Sequence, residues 1–300
     1  IGQEFRTVLT AAKSMLPNPD MLLSGGDFTD FGQYMWEAAA QIGANEDFFA
    51  KYPLFIADGN HDQKGDSYNV ANLVNVNVAD SGGANGGTGS YYSFDYNHVH
   101  VIVLDNGAEN NNNLDSNMMT WLGQDLATNA ANTDTEWTLV MMHKPIYTAI
   151  RENDNTTAAG YSGLSTTQRT ALAPLFTQYG VDVVMQAHAH LYSRTKPIAD
   201  AVGTVANTGW TTSTENGYTL TVNPGAPIYT LLGAAGPQSL TNSSRAPLPF
   251  AEQPACIAHS EDLHEHSFAI WRIDGDTLYV DACYVNGGTI STIEKFGIKK

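Results

Sequence analysis

The sequence predicts a mixed α/β (α+β) fold in which two β-sheets pack as a sandwich flanked by helices. Three observations predict it: short apolar runs that stop at polar residues, helix-periodic stretches between them, and ribbons rich in aromatic and β-branched residues. Neither an internal repeat nor a dividing linker is visible, so we expect one domain over residues 1–300.

The apolar runs predict strands that are buried on both faces. Each is short and continuous and is bounded by Gly, Pro or polar residues, which is typical of strands with both faces covered. The four runs are "MLLSGGD" (21–27), "LFIADGNHD" (54–62), "TLVMMHKP" (138–145) and "VDVVMQAHAH" (181–190).

Four stretches have helical spacing. The first places Phe5, Val8, Leu9 and Ala12 on one face. The predicted helices cover residues 4–16, 33–50, 114–127 and 165–179.

A second class of segment predicts antiparallel strands. The last two such segments flank Asp274-Gly275, a hairpin signal with alternating neighbours. These segments are 90–105, 226–236, 267–275 and 277–285, and the predicted surface loops are 106–113, 151–163 and 237–255.

The charge balance restricts the partners. Fourteen basic residues stand against 31 acidic ones, a formal net charge of −17. Binding to nucleic acid or to an anionic membrane surface requires an excess of Lys and Arg, so we expect neither. No run reaches the roughly 20 apolar residues that span a bilayer. We expect a small substrate, and an anionic one would need a local attractor such as a metal ion.

Cysteine usage and loop composition bear on the compartment. Cys256 and Cys283 form either one disulfide or two buried thiols. Few lysines, many Asn, Thr and Gly, and polar surface loops favour a secreted or extracytoplasmic protein. The Asn-x-Ser/Thr triplets at Asn155 and Asn242 add little, because such triplets often arise by chance.

Three histidine pairs differ in their position along a strand. His188 and His190 follow a predicted strand at its carboxyl end, where open α/β sheets bind ligands. The pairs at residues 98 and 100 and at 264 and 266 precede strands, so we expect them on solvent-exposed strand faces.

Further ligand-type side chains follow the other apolar runs. Imidazole, carboxylate and amide oxygen together are the mixed set that binds zinc, manganese or iron, and one carboxylate can bridge two ions. The predicted metal ligands are Asp27, Asn60, His143, His188 and His190.

The ordered motifs "GDFTD" (26–30), "GNHD" (59–62), "HKPIY" (143–147) and "AHAH" (187–190) resemble those of the calcineurin-like metallophosphoesterases. The resemblance covers nearly the whole chain. "MMHKPIY", "HAHLYSRTKPI" and the aromatic carboxyl-terminal ribbon are similar to the purple acid phosphatase branch. It implies the metallophosphoesterase sandwich and the hydrolysis of a phosphate ester through a dinuclear site of two divalent ions (Mn, Zn or Fe).

The resemblance also implies roles for single residues. Asp27 would bridge the ions, and His190 would bind the first ion. Asn60, His143 and His188 would bind the second ion. His61, held by Asp62, would stabilise the transition state or protonate the leaving oxygen.

Asp30 is a departure from the purple branch. That branch has a metal-binding tyrosine three residues after the bridging Asp, where this chain has Asp30. We therefore expect a colourless protein and interpret Asp30 as a residue that ties a loop or orients a ligand.

A second departure concerns an earlier Asp-x-His or Asp-x-Gln motif, which supplies two more ligands to the first metal in the family. The sequence does not contain it and begins "IGQEF", which in relatives often follows that motif. We expect the first strand and its motif to be missing by truncation. The alternatives are a one-metal variant or a non-catalytic binding protein on the same fold.

Three residues near the site are candidates for substrate selection: Tyr147, Tyr192 and Arg194. Their alternative role is packing and loop ordering, which we favour slightly.

Overall fold

The computed structural model describes residues 2–65, 70, 90–107, 114–149, 163–236, 255–261 and 265–300. The helices in this part of the chain are α1 (Gln3–Met15), α2 (Met35–Ala44), α3 (Glu46–Phe49), α4 (Ser116–Ala130) and α5 (Gly163–Gln178). The strands are β1 (Leu22–Ser24), β2 (Leu54–Ile56), β3 (Tyr92–Tyr96), β4 (Val99–Leu104), β5 (Trp137–Met142), β6 (Val183–Gln186), β7 (Tyr192–Thr195), β8 (Thr211–Glu215), β9 (Tyr218–Val222), β10 (Ile228–Leu232), β11 (Ile257–Glu261), β12 (His266–Asp274), β13 (Thr277–Asn286) and β14 (Thr289–Lys299).

Two large sheets form the body of the fold. The seven-stranded sheet has the order β11-β7-β10-β6-β5-β4-β3. Its centre, β4, β5, β6 and β10, is parallel, and antiparallel strands lie on both sides. The five-stranded sheet has the order β12-β13-β14-β9-β8. A third, two-stranded sheet pairs β1 and β2 in parallel.

The two large sheets bury their facing sides against each other. Met141 and Val183 of the seven-stranded sheet belong to one apolar cluster with Leu278, Val280 and Phe296 of the five-stranded sheet. These side chains point inward because strand residues alternate between the two faces of a sheet. The predicted two-sheet sandwich is confirmed.

Helices cover the outer face of the seven-stranded sheet. Leu122 and Leu126 of α4 lie one helical turn apart, and Phe176 of α5 is also fully buried; all three pack against strand residues such as Val140. Truncating such a leucine to alanine costs about 2–5 kcal/mol of unfolding free energy. The α1 helix packs on the other sheet, where Val8 contacts the cluster around Val285.

The structure differs from the prediction at several elements. The helix expected over 33–50 divides at Asn45, whose side-chain amide donates to the Gln41 carbonyl. The first two strands are half-buried and form the third sheet, rather than being covered on both faces. Strands β7, β8, β9, β11 and β14 had not been predicted. The predicted loops lie mostly outside the described residues.

His100 corrects an expectation. His98 is exposed as expected, but His100 is buried between two carboxylates, with Nδ1 2.6 Å from Asp95 and Nε2 2.9 Å from Asp125.

Both cysteines are buried free thiols, and burial raises the pKa of Cys283 to about 11.

A buried ion pair joins the two large sheets. Arg194 of β7 donates to Glu294 of β14 at 2.5 and 3.0 Å, and the Tyr192 hydroxyl donates to the same carboxylate at 2.6 Å. The Tyr147 hydroxyl donates to the Asp200 carbonyl. These contacts give Tyr147, Tyr192 and Arg194 packing roles, the alternative that the sequence slightly favoured.

A large cavity of about 1460 Å³ lies between β1 and β12. This volume is larger than that of common small-molecule pockets, which is about 300–1,000 Å³. In the described part of the chain β1 pairs only with β2, and β12 only with β13, so each presents an unpaired edge.

None of the helices in the described part of the chain has the length and apolar character needed to span a membrane.

Candidate metal centre

The predicted ligands follow the carboxyl ends of four strands. Asp27 comes after β1 and Asn60 after β2, and these strands are parallel. His143 follows β5 and His188 follows β6, which are also parallel. Each parallel pair brings its carboxyl ends to one edge, and the structure places the two edges against each other.

Three of the predicted ligands converge on one atom of a fourth, Nε2 of His143. Asn60 Oδ1 lies 3.1 Å from it, His188 Nδ1 3.2 Å and Asp27 Oδ2 3.3 Å. Ligand atoms of Asp27, His143 and His188 all lie within 4.8 Å of one another. His190 is half-buried and lines the same cavity, but it is not a member of this group of three.

The orientation of the His143 ring suits a metal ligand. Its Nδ1 lies 2.7 Å from the Gly25 carbonyl oxygen, which can only accept, so Nδ1 carries the proton and donates. A neutral ring then presents the Nε2 lone pair to two oxygens and a second imidazole. Lone pairs that converge in this way repel one another unless a cation lies between them. The residues present therefore fit a divalent metal ion.

The charges of the protein groups lead to the same conclusion. Burial lowers the pKa of His143, but the Asp27 carboxylate, the Gly25 carbonyl and the Asp62 carboxylate together outweigh burial, and the net shift is upward. Burial likewise raises the pKa of Asp27, but His143 and the His61 amide hold it well below its usual range. Asp27 is thus a carboxylate ready to bind a cation, and a proton on His143 competes with that cation.

The backbone around the cluster is strained. Asp27 has φ 52° and His188 has φ 67°, in the left-handed region that costs non-glycine residues about 1–3 kcal/mol. A Cβ at Gly59 would lie 2.2 Å from Asp27 Oδ1, so only glycine permits this approach. Strain of this kind concentrates at functional sites.

Asp62 and His61 have different environments. Asp62 is buried, and its carboxylate accepts hydrogen bonds from the amides of Phe28, Thr29 and Gly59, so it ties the two motif loops together. Burial raises its pKa, and the amide hydrogen bonds from Gly59 and Thr29 oppose the shift.

The His61 ring instead contacts Asp30, with Nδ1 2.7 Å from the carboxylate and 3.0 Å from the carbonyl. The resemblance predicts that Asp62 holds this ring, whereas the contact that the structure shows at Nδ1 is with Asp30.

Sequence reasoning missed Glu37 and the Gly25 carbonyl. Glu37 is buried in the first turn of α2, and its Oε2 accepts from the amides of Asp30 and Phe31 at 2.8 and 2.9 Å. An acidic residue just after a polar motif loop is a usable signal for such a contact, because loop amides need acceptors. A backbone carbonyl has no sequence signal.

Comparisons with known proteins agree with this geometry. A family profile described as calcineurin-like phosphoesterase matches residues 2–192. Purple acid phosphatase 22 of Arabidopsis thaliana is 26% identical over 284 residues, which cover 91% of this chain and 55% of that protein. Acid phosphatase type 7 of Mus musculus is 28% identical over 239 residues, covering 74% and 50%. The chain thus spans about half the length of these relatives.

Solved structures share the fold at lower identity. The purple acid phosphatase PPD1 from yellow lupin superposes with a TM-score of 0.72 at 16% identity, over 99% of this chain and 49% of that one. The PhoD structure gives a TM-score of 0.63 at 14% identity, over 97% and 66%. The profile match covers more than half of the chain, and it includes the residues that converge on His143. The chain belongs to the calcineurin-like phosphoesterase family.

Proposed function

We propose that the protein hydrolyses a phosphate ester with divalent metal ions bound at the strand ends. The convergence of Asp27, Asn60 and His188 on Nε2 of His143 carries this proposal. The names of the relatives, purple acid phosphatase and acid phosphatase, support the reaction class. A small substrate fits the net charge of −17, because the local cations would offset a repulsive surface.

A residue of the chain, His61, would supply the proton that the leaving group needs. Bound ions would supply charge neutralisation for the phosphate and activation of the attacking water. His61 would protonate the departing oxygen, since an alkoxide leaves poorly without a proton. The His61 amide donates to Asp27 Oδ1 at 2.9 Å, which fixes this histidine relative to the candidate ligands.

We further propose that the centre is dinuclear. Asp27, Asn60, His143 and His188 would hold one ion, and Asp27 with His190 would contact the other. Two protein ligands are too few for a secure site. The remaining ligands would come from a polypeptide segment seated between the unpaired edges of β1 and β12, because that cavity is lined by Asp27, His188 and His190.

A one-metal binding protein is the second candidate. It is favoured by the single ligand group of Asp27, His143 and His188, the one such group among the described residues. Metal stoichiometry separates the candidates, since two ions per chain support the dinuclear enzyme and one supports the alternative.

Hydrolysis assays test the proposed activity. We expect a chromogenic phosphate monoester or diester to be hydrolysed with added manganese or zinc, and His143→Ala to lose at least about 100-fold in turnover. His98→Ala is the matched control, because His98 is exposed, and it should retain activity. Hydrolysis that is equal in the protein and in His143→Ala would contradict the proposal.

A further inference from the structure

Exposed aromatic side chains cluster in the segment that follows the "GDFTD" motif. Seven large apolar side chains are exposed in the described part of the chain, and four of them lie within six residues: Phe31, Tyr34, Met35 and Trp36. A single exposed apolar residue is ordinary, whereas a contiguous group of them marks a binding surface. We call Phe31, Tyr34 and Trp36 the aromatic platform.

The rings of the aromatic platform form one surface. The centroids of Phe31 and Tyr34 are 6.0 Å apart, and those of Tyr34 and Trp36 are 6.3 Å apart with ring planes inclined by 23°. Both distances lie within the range of ring contact, which is about 4.5–7 Å. Tyrosine and tryptophan have only two χ angles each, so these rings can bind a flat ligand with little loss of side-chain entropy.

Hydrogen bonds fix the backbone beneath the aromatic platform. The Phe31 amide donates to Glu37 Oε2 at 2.9 Å, and the Phe31 carbonyl accepts from the Tyr34 amide at 2.8 Å. The Tyr34 carbonyl accepts from the Glu37 amide at 2.9 Å, at the start of α2. Glu37 is buried. The platform is therefore ordered before a ligand binds, which reduces the cost of binding.

The aromatic platform adjoins the candidate metal centre. The His61 amide donates to Asp27 Oδ1 at 2.9 Å, and the His61 carbonyl accepts from the Gly32 amide at 3.0 Å. Because one residue spans at most about 3.6 Å, the Gly32 nitrogen lies within about 10 Å of this candidate ligand atom. Asp27 and all three platform residues line the large cavity. A phosphate held at the metal centre would therefore extend its organic group toward the platform.

Charge is ordered along the same path. Lys64 lies between the two parts, with Nζ 2.7 Å from His61 Nδ1 and 4.4 Å from the Phe31 ring centroid. This order fits a ligand with an anionic group at the metal centre and an uncharged flat group at the other end. The net charge of −17 opposes binding of a polyanion or an anionic membrane surface at the platform.

We propose that the aromatic platform binds a planar aromatic group of the phosphate ester, an aryl ring or a nucleobase. This inference rests on the proposed function and names the substrate class of that site. The faces of Tyr34 and Trp36 stack on such a group, and stacking adds to the gain from burying its apolar surface. An aliphatic group gains from burial alone.

Binding of phosphonates tests the proposal, because their P–C bond is not hydrolysed. The probes are phenylphosphonate, n-hexylphosphonate and methylphosphonate, titrated by calorimetry into the protein loaded with manganese. We expect Tyr34→Ala and Trp36→Ala to weaken phenylphosphonate binding about 5–100-fold and methylphosphonate binding less than about 2-fold. The loss for n-hexylphosphonate should be well below the loss for phenylphosphonate.

Tyr96→Ala is the matched control. Tyr96 is 40% exposed, similar to Tyr34 at 45%. It pairs with Val99, the first residue of β4, at the end of the sheet opposite to His143. Its substitution should leave all three affinities unchanged.

Equal losses for phenylphosphonate and n-hexylphosphonate would overturn the proposal, since the surface would then recognise apolar area and not a ring. Unchanged affinities in Tyr34→Ala and Trp36→Ala would also overturn it. In that case weaker self-association of Trp36→Ala, measured by sedimentation, would assign the exposed rings to a contact between copies of the chain.

Kinetics separate the two sources of the ring. For phenyl phosphate and adenosine monophosphate, Trp36→Ala should raise KM and leave kcat nearly unchanged, because the platform binds the ground state and the transition state equally. A rise for one substrate alone identifies the aryl ring or the nucleobase as the group bound. If neither is hydrolysed, the proposed function fails, while phosphonate binding still decides the role of the platform.

Discussion

Nδ1 of His143 lies 2.7 Å from the carbonyl oxygen of Gly25, so a backbone group of the first motif loop sets the tautomer of a candidate ligand on another strand. Gly25 also lies against the "AHAH" motif (187–190). A Cβ at residue 25 would lie 2.7 Å from the Cβ of Ala187, which precedes His188. Neither atom can rotate away, because both are fixed to the backbone.

Gly25→Ala should therefore weaken metal binding. We expect a loss of about 10–100-fold in affinity, the usual effect of disturbing the partners of metal ligands. The double variant Gly25→Ala/Ala187→Gly removes the clash and should recover most of the affinity. Chelator competition measures both. Failure of the second change to restore binding would mean that the clash with Ala187 is not the cause.

Glu294→Gln should destabilise the fold by about 3–5 kcal/mol, because it leaves the Arg194 charge buried without its partner. Denaturant unfolding at neutral pH measures this change. Glu215→Gln is the control, since Glu215 is 41% exposed, pairs with Lys299 and should cost about 1 kcal/mol or less. Comparable losses in the two variants would contradict the role assigned to the buried pair.

The effect of Glu294 should depend on pH. Burial raises its pKa, but the hydrogen bond and charge of Arg194 and the hydrogen bond from Tyr192 together outweigh burial, and the net shift is downward. A carboxylate whose pKa is lower in the folded chain stabilises the fold at any pH above its pKa in the unfolded chain, which is about 4.3. This stabilisation is lost as the pH falls through the pKa of the folded chain. The difference in the free energy of unfolding between the protein and Glu294→Gln should thus be largest at neutral pH and should decrease at acidic pH.

His100 should show the opposite dependence. Burial lowers its pKa, but the hydrogen bonds to Asp125 and Asp95 raise it above its ordinary value. Its stabilisation is therefore present below the unfolded pKa of about 6.5 and is lost as the pH rises through the folded value. Asp125→Asn should cost about 1.5–3 kcal/mol below that pH and less above it. Unfolding across pH 5–9 measures this, and a cost that is independent of pH would refute the assignment.

The sequence predicted the two-sheet fold class and a set of candidate ligands, but not every strand. Asp27, Asn60, His143 and His188 could be assigned because carboxyl ends of parallel strands share an edge. Strand β8 had no signal, since its residues are almost all exposed and no apolar alternation marks them.

The partner of His61 was not predictable either. The contact with Asp30 depends on a loop conformation that Glu37 and Asp62 fix through backbone amides. Hydrogen bonds to backbone amides have no reliable signal in a sequence. The resemblance of the "GNHD" motif therefore predicted Asp62, and not Asp30, as the partner of the His61 ring.

The protein should be colourless with iron bound. Asp30 stands where the purple branch has its metal-binding tyrosine, and its carboxylate contacts His61. A tyrosinate-to-iron charge-transfer band needs a tyrosine ligand, so visible spectra of the ferric protein should lack it. A visible band of that type would show that another tyrosine binds the metal.

Metal content per chain tests the central claim most directly. Elemental analysis of protein purified without chelators should find at least one divalent ion per chain, retained in His98→Ala and lost in His143→Ala. A second ion would support the dinuclear centre. Equal metal content in His143→Ala and in the unaltered protein would contradict the assignment of the metal site to the cluster around His143.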